Sequence, residues 1–314
     1  MNFHLLRTAN CKPQTPFATQ KQRIFILGAG GRLGMALVRE WRKKFPDHEI
    51  VGLGRQEIDF EHPKSALEVM KVFGLKKEEV IVNSGALTDV DRCEREPALA
   101  TTVNAITPTL LASLAADVGA RFIHLSTDYV FDGTLERPYR EIDTPAPLSQ
   151  YGVSKLAGEQ GVLATSDHHV VARVSWVFGP DRPSFVDQII RRALSSTEAA
   201  AIHDKISSPT YTYDLSCWLS LFLNKKTAGG IYHLCNSGHC SWRDYGEYAL
   251  QCAARHGMPL LTTSVAPLQL AEMKNFLAKR PVQTALDTTK FSVLLGEPLR
   301  SWQEAVEEYV GTIV

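Results

Sequence analysis

The sequence predicts an α/β fold: a doubly wound parallel sheet with a smaller C-terminal lobe. Two observations carry that expectation. Strand-length apolar runs alternate with helical stretches from Arg23 to Gly179, as they do where parallel strands are joined by crossover helices. The first apolar run, Ile24–Leu27, passes directly into glycines at 28, 30, 31 and 34 and then into an amphipathic segment.

That first junction is also a chemical signal. Gly28, Gly31 and Gly34 form GxxGxxG, with Arg32 and Leu33 inside it. Such glycines allow a tight turn, close approach to a pyrophosphate, and close packing of helix on strand. The helix that follows offers free N–H groups and a positive dipole end. With a strand before and a helix after, the motif predicts a Rossmann-like dinucleotide site.

A second strand, HEIVGLGR, is expected to end near Gly54. Folds specific for NAD usually place a carboxylate there for the ribose 2′-hydroxyl. This chain has Arg55, with Arg32 nearby in the glycine turn. Guanidinium suits a phosphate, so the pair predicts NADPH, with NADH as the alternative. Asp59 and Phe60 are expected beside the adenine. A fourth strand, EVIVNSGALTDVD, ends in small residues suited to backbone passing close under a cofactor.

The run RFIHLSTD reads as a buried strand that delivers Ser126 and Thr127 to a sheet edge. Pro138, Pro145 and Pro147 mark the loop after it, and YGVSKLAGE follows. Tyr151 and Lys155, four positions apart, stack on one helix face. A free phenol titrates near pH ~10. A fixed cation beside it is expected to lower that value and to equip the phenol for acid–base work.

Beyond Gly179 the pattern loosens. Helices are expected at Phe185–Thr197, Thr212–Asn224 and Trp242–His256, with Gly230–Cys235 returning to the main sheet. LRSWQEAVEEYV has the apolar spacing of a packed helix. The expected organisation is an N-terminal extension over residues 1–22, a nucleotide-binding unit over 23–179, and a mainly substrate-binding lobe over 180–314. The extension contains Arg7, Lys12 and Lys21 and no acid, and reads as a disordered segment.

Composition narrows the function classes. The 314 residues carry 34 basic and 34 acidic side chains, a formal net charge of zero. That balance gives no electrostatic case for nucleic acid or an anionic membrane. No apolar run is read as reaching the ~18–20 residues of a membrane span, so a cytoplasmic enzyme is expected. Six cysteines, at 11, 93, 217, 235, 240 and 252, read as reduced thiols. HLCNSGHC alternates His and Cys, but His233 and Cys235 read as one face of a buried strand, and no metal is expected. His168–His169 opens another strand and reads as structural.

GAGGRLG, VIVNSGALTDVDRCE, VNAITP, HLSTDYVFDG, YGVSKLAGE, RVSWVFG, SPTYTYDLS, GIYHL and RPVQTALDTTK occur in one order and spacing. Over nearly the whole chain from Arg23, this resembles the extended short-chain dehydrogenase/reductase superfamily, and within it the dTDP-4-dehydrorhamnose reductase family. The resemblance implies NADPH-dependent oxidoreductase chemistry on a 4-keto nucleotide sugar, a step in dTDP-rhamnose and cell-surface polysaccharide biosynthesis. A homodimer is compatible with it.

By position, Tyr151 would be the general acid and Lys155 would hold the nicotinamide ribose and tune Tyr151. Thr127 would bond the keto oxygen. Asp128, Tyr129 and Trp176 would line the sugar pocket, and Arg280 would sit near the nucleotide end. Asn83, Ser84, Gly85 and Ala86 match the turn that passes the cofactor. Asn104 matches a residue supporting the site from a neighbouring helix and counts with the cofactor set.

The chain departs from the usual family pattern at Ser184–Phe185–Val186, at Asp204–Lys205 and in NSGA. Two other readings share these motifs: a different nucleotide-sugar reductase or epimerase, and a non-catalytic NADP-binding subunit resembling the methionine adenosyltransferase β subunit.

Overall fold

The computed structural model describes residues 22–313. The expected N-terminal extension lies outside the described residues except for Gln22. Its backbone N–H donates to His48 Nδ1 (3.2 Å), and its carbonyl accepts from Glu49 N–H (2.9 Å). Gln22 is therefore part of the folded unit.

Six strands form the central sheet: β1 (Arg23–Leu27), β2 (Glu49–Leu53), β3 (Val80–Asn83), β4 (Arg121–Thr127), β5 (Val170–Val174) and β6 (Gly230–His233). Their order is β6-β5-β4-β3-β1-β2, and every pairing is parallel. Parallel strands covered on both faces need near-continuous apolar sequence. Ile24, Phe25, Ile26 and Leu27 accordingly have no exposed surface.

The strand expected to be fourth is β3, the third in the chain. Between β2 and β3 the chain forms only the helix Pro63–Val72, whose Ala66 and Met70 bury against the sheet. Asp59–Phe60 lies in the turn before that helix and belongs to no strand.

Two apolar layers cover the sheet. On one face, Leu37 and Trp41 of the helix Arg32–Lys44 join Leu215, Trp218, Phe222 and Phe291 from the second half of the chain. Trp41 Nε1 donates to the Ser216 carbonyl (2.8 Å), which ties the two halves directly. On the other face, Leu111, Ala112 and Ala115 of the helix Thr107–Val118 pack with Phe25, Ile81 and Phe122.

That helix continues a run from Pro97, so Pro97–Val118 spans 22 residues, and an 18-residue window within it has mean hydropathy 1.3. This differs from the sequence expectation: the run is long and apolar enough to cross a membrane. Half of it is buried inside the fold, so its apolar character is accounted for by packing. Residues 102–106 of the run form a π-turn, the kind of helix irregularity often found beside functional sites.

A second core lies around the helices Phe185–Ser195, Trp242–Arg255 and Trp302–Ile313. Ile189, Tyr245, Trp302, Tyr309 and Val310 fill it. Side-chain capping boxes, Ser184 with Asp187 and Ser241 with Asp244, start the first two helices.

The sheet order reverses between β1 and β3. In open α/β sheets, ligands bind outside the strand carboxyl ends at such a reversal. Here the two turns that meet there fit by virtue of glycine. Gly28 has φ +75°, and a Cβ on it would lie 2.5 Å from Gly85 N. At Gly34, which is buried, a Cβ would lie 2.2 Å from the Gly28 carbonyl oxygen. Gly34→Ala should therefore force the helix off β1 and cost about 2 kcal/mol, the scale of an overpacked core. A lowered urea midpoint together with weaker dinucleotide binding is the expected result. An unchanged midpoint would show that the helix and strand do not need this contact.

Candidate active site

A cleft of about 920 Å³ runs along the carboxyl ends of the strands, from the glycine turn to the end of the Tyr151 helix. Gly28, Gly31, Arg32 and Leu33 line one end, joined by Arg55, Asp59, Phe60, Ser84, Gly85 and Ala86. Thr127, Asp128, Tyr129, Tyr151, Lys155 and Trp176 line the other. Most residues singled out in the sequence thus share one cavity. Gly34, Asn83, Asn104 and Arg280 stand outside its lining and act from behind it.

Tyr151 and Lys155 lie on the helix Gln150–Leu163. Ser149 caps this helix, its Oγ accepting from Gly152 N–H (3.3 Å). Tyr151 hydrogen-bonds with Thr127, yet burial pushes the phenol above its ordinary range. The expectation of a lowered phenol fails for a physical reason. Lys155 Nζ turns away from it, donating to the Leu125 carbonyl (2.6 Å) and lying 3.3 Å from His124 Nε2. Burial also brings Lys155 down to about 8. Both groups are thereby pushed toward their neutral forms.

Thr127 accepts from Tyr129 N–H (3.2 Å) and donates to Asp128 Oδ1 (3.1 Å). Asp128 Oδ2 accepts from Ser175 (2.9 Å), Ser207 (2.7 Å) and Thr284 (2.6 Å). Its carboxylate is filled by hydroxyls of the protein itself. Asp128 therefore orients Thr127 and fastens the second lobe, while also lining the cleft.

Tyr129 meets Tyr151 edge to face, with ring centroids 5.6 Å apart. Behind Tyr129, the fully buried Lys205 holds its ammonium 4.9 Å from the ring centroid and donates to the Pro281 carbonyl (2.7 Å). Trp176 is the one non-glycine residue with positive φ (37°) among the described residues. It sits against Trp242 and stacks on Tyr245. Two buried polar atoms of cleft-lining residues have no partner, Ser126 Oγ and Trp176 Nε1.

The nucleotide end corrects several expectations. Arg32 donates to the carbonyls of Val177 (2.9 Å), Arg182 (3.2 Å) and Pro183 (2.5 Å). Its guanidinium is tied to the Val177–Pro183 segment packed on the glycine turn, while Arg32 still lines the cleft. Arg182 returns the contact, donating through Nε to the Gly30 carbonyl (2.8 Å). Arg182 lines the cleft and was not singled out in the sequence, where no motif marks it.

Arg55 lines the cleft at the end of β2 and is exposed. A carboxylate does reach this strand end after all, because Glu57 Oε2 accepts from Gly54 N–H (2.8 Å).

The remaining corrections concern supports. Asn83 Oδ1 accepts from Gly85 N–H (3.0 Å), shaping the turn from beneath. Asn104, in the π-turn, accepts from Leu87 N–H (2.8 Å) and donates to the Leu87 carbonyl and to Ser154 Oγ. It thus ties the turn to the Tyr151 helix and does not itself touch the cleft. Arg280 makes a two-pronged ion pair with Asp91 (3.0 and 2.8 Å) and lies 3.7 Å over Phe276. That bond holds Asp91 at about 2.

Among the described residues no group of three or more His, Cys, Asp or Glu could hold a metal ion. Four buried cysteines, Cys93, Cys235, Cys240 and Cys252, are free. His169 accepts from Phe122 N–H and reaches the Ala112 carbonyl, a structural pairing within the core.

A family model described as "RmlD substrate binding domain" matches residues 22–314. The chain is 34% identical over 299 residues to dTDP-4-dehydrorhamnose reductase of Escherichia coli, covering 92% of this chain and 97% of that protein. It is 33% identical over 289 residues to the spore coat polysaccharide biosynthesis protein SpsK of Bacillus subtilis, covering 92% and 96%. The crystal structure of dTDP-4-dehydrorhamnose reductase from Bacillus anthracis in complex with NADP superposes with a TM-score of 0.83. That structure shares 30% identity and the match covers 92% of this chain and 99% of that one. With the family model spanning the whole described fold and these relatives matched end to end, the chain belongs to the dTDP-4-dehydrorhamnose reductase family.

Proposed function

We propose that this chain reduces the 4-keto group of dTDP-4-dehydro-6-deoxy-L-mannose to give dTDP-L-rhamnose, with NADPH as reductant. The observation that carries the reading is the Thr127–Tyr151 pair at the far end of a glycine-turn cleft, in a chain one third identical to named reductases.

The residues fit the cofactor. Gly28 packs on Gly85 too closely for a side chain, and Gly31, Ser84 and Ala86 line the same cradle. Gly31 caps the Arg32–Lys44 helix without using a side chain, which leaves N–H groups for a pyrophosphate. Arg55 is the cation placed for a 2′-phosphate, and Asp59 with Phe60 flanks the adenine end. When bound, the reduced nicotinamide supplies the hydride.

The protein's own work is to manage the charge on the substrate oxygen. As hydride arrives, negative charge grows there, and donors already aimed at that point stabilise it. In this reading they are Tyr151 and Thr127, whose hydroxyl would turn from Asp128 Oδ1 to the keto oxygen when substrate binds. Tyr151 then gives up its proton, which its raised affinity holds until a strong base, the developing alkoxide, is present. Lys155 supports the phenolate left behind. Trp176 and Tyr129 form the aromatic walls of the sugar pocket, and Trp176 Nε1 is a donor still to be paired. We assign residues 23–179 mainly to the cofactor and 180–314 mainly to the substrate, with Arg280 as the ion-paired brace of the substrate side.

Tyr151→Phe should lower kcat by about 10²–10⁴-fold, the usual worth of a positioned acid, while leaving NADPH affinity intact. Near-full turnover would remove Tyr151 as the acid. Failure of the unmodified enzyme to turn over dTDP-4-keto sugar with NADPH would instead favour a non-catalytic subunit.

Arg55→Ala should raise KM for NADPH by roughly ten- to hundredfold, the worth of a bond to a charged group. NADH, which lacks the phosphate, should be little affected. Equal losses for both cofactors would place the 2′-phosphate elsewhere.

A further inference from the structure

We propose that His124 sets the proton state of Lys155 as a positioning residue, fixed in one tautomer by Asn83. The inference rests on the reading of Lys155 as the partner of Tyr151, and it adds a residue that this reading leaves unused.

The chain of reasoning starts from a group whose role is fixed. A backbone N–H only donates, so Gly85 N–H identifies the Asn83 atom 3.0 Å away as the carbonyl oxygen. The amide nitrogen of Asn83 therefore faces His124 Nδ1, at 3.1 Å. An amide nitrogen also only donates, so Nδ1 must be the bare acceptor of the ring. His124 is fully buried, and burial together with Lys155 drives its pKa well below the usual range, so it is neutral. A neutral imidazole with a bare Nδ1 carries its hydrogen on Nε2.

That Nε2–H points at Lys155 Nζ, 3.3 Å away. Lys155 already donates to the Leu125 carbonyl. Either the amine lone pair accepts the imidazole N–H, or two donors face each other. Both arrangements work against the ammonium form.

The other charged and titratable groups around this helix do not reverse the effect. Glu159, one turn along, is held by Arg173 at 2.9 and 2.6 Å. Glu94 accepts from Gln150 N–H. Asp128 is filled by hydroxyls. Cys93 is pushed up to about 11 by burial and stays a thiol, and Tyr151 is a phenol.

His124 thus makes Lys155 a weaker holder of its proton. The same links run from Gly85 through Asn83 and His124 to Lys155. They connect the dinucleotide turn to the reacting end of the cleft.

Nitrogen-15 NMR of histidine in the protein without sugar reads the tautomer directly. The expected pattern for His124 at neutral pH is a neutral ring with hydrogen on Nε2, recognised by its loss in His124→Gln and its shift in Asn83→Ser. An Nδ1–H tautomer, or an imidazolium, would overturn the proposal. In His124→Gln the side-chain oxygen is free to turn toward Lys155 Nζ and stabilise the ammonium. The alkaline limb of kcat should then move up by about one pH unit, with KM for the sugar unchanged. A folded variant with an unmoved limb would also overturn it. If that variant does not fold, the tautomer of the unmodified enzyme decides. That reading needs no substrate, so its failure is separable from an error in the assigned sugar.

Discussion

The structure turns on one buried carboxylate. Asp128 is 2% exposed and takes hydroxyl donors from β4, from the end of β5 and from two segments of the second lobe. A carboxylate in such a place is tolerable only when its lone pairs are filled. Because those donors come from Thr127, Ser175, Ser207 and Thr284, filling them brings the lobes together at the catalytic hydroxyl. Lys205 supplies compensating charge. Its proton affinity falls to about 8 through burial, while Asp128 pulls in the opposite direction. The ammonium also sits on the rear face of Tyr129, so one electrostatic arrangement fixes Thr127, Tyr129 and the lobe junction.

The nucleotide half is held by a different device. Arg32 and Arg182 exchange donors across the gap, each ending on backbone carbonyls of the other side. Arg39 extends the clasp with an ion pair to Asp181. Of these contacts only Arg39–Asp181 is an ion pair, and its carboxylate is largely buried. The clasp sets the Val177–Pro183 segment against the glycine turn.

Much of this was legible in the sequence because the relevant signals are local. GxxGxxG follows its strand and precedes its helix within a dozen residues, and YxxxK acts through a single helical turn. Those patterns placed β1, the Arg32–Lys44 helix and the Tyr151–Lys155 face correctly. What local pattern does not encode is the partner of a long side chain. The carbonyl partners of Arg32 lie about 150 residues away in sequence, and Arg182 carried no motif at all. The count of strands failed where Ala66 and Met70 close the sheet with a helix instead of a strand. Asn83, Asn104 and Arg280 were found as important positions, yet their contacts put them behind the surface and not on it.

Tyr151 is the most instructive difference. Spacing alone suggested a phenol eased toward ionisation by a neighbouring ammonium. Burial acts on both groups first, and it favours the neutral phenol and weakens the ammonium. For a reductase that direction is serviceable, since the acid must keep its proton until the alkoxide forms. A tyrosine ionised at rest would have nothing to give. The desolvation that raises the phenol also strengthens the Thr127 hydrogen bond, because both lie where water does not screen them. The same low-dielectric enclosure thus stores the proton on Tyr151, holds it beside Thr127 and leaves Lys155 able to answer the charge once the proton has gone.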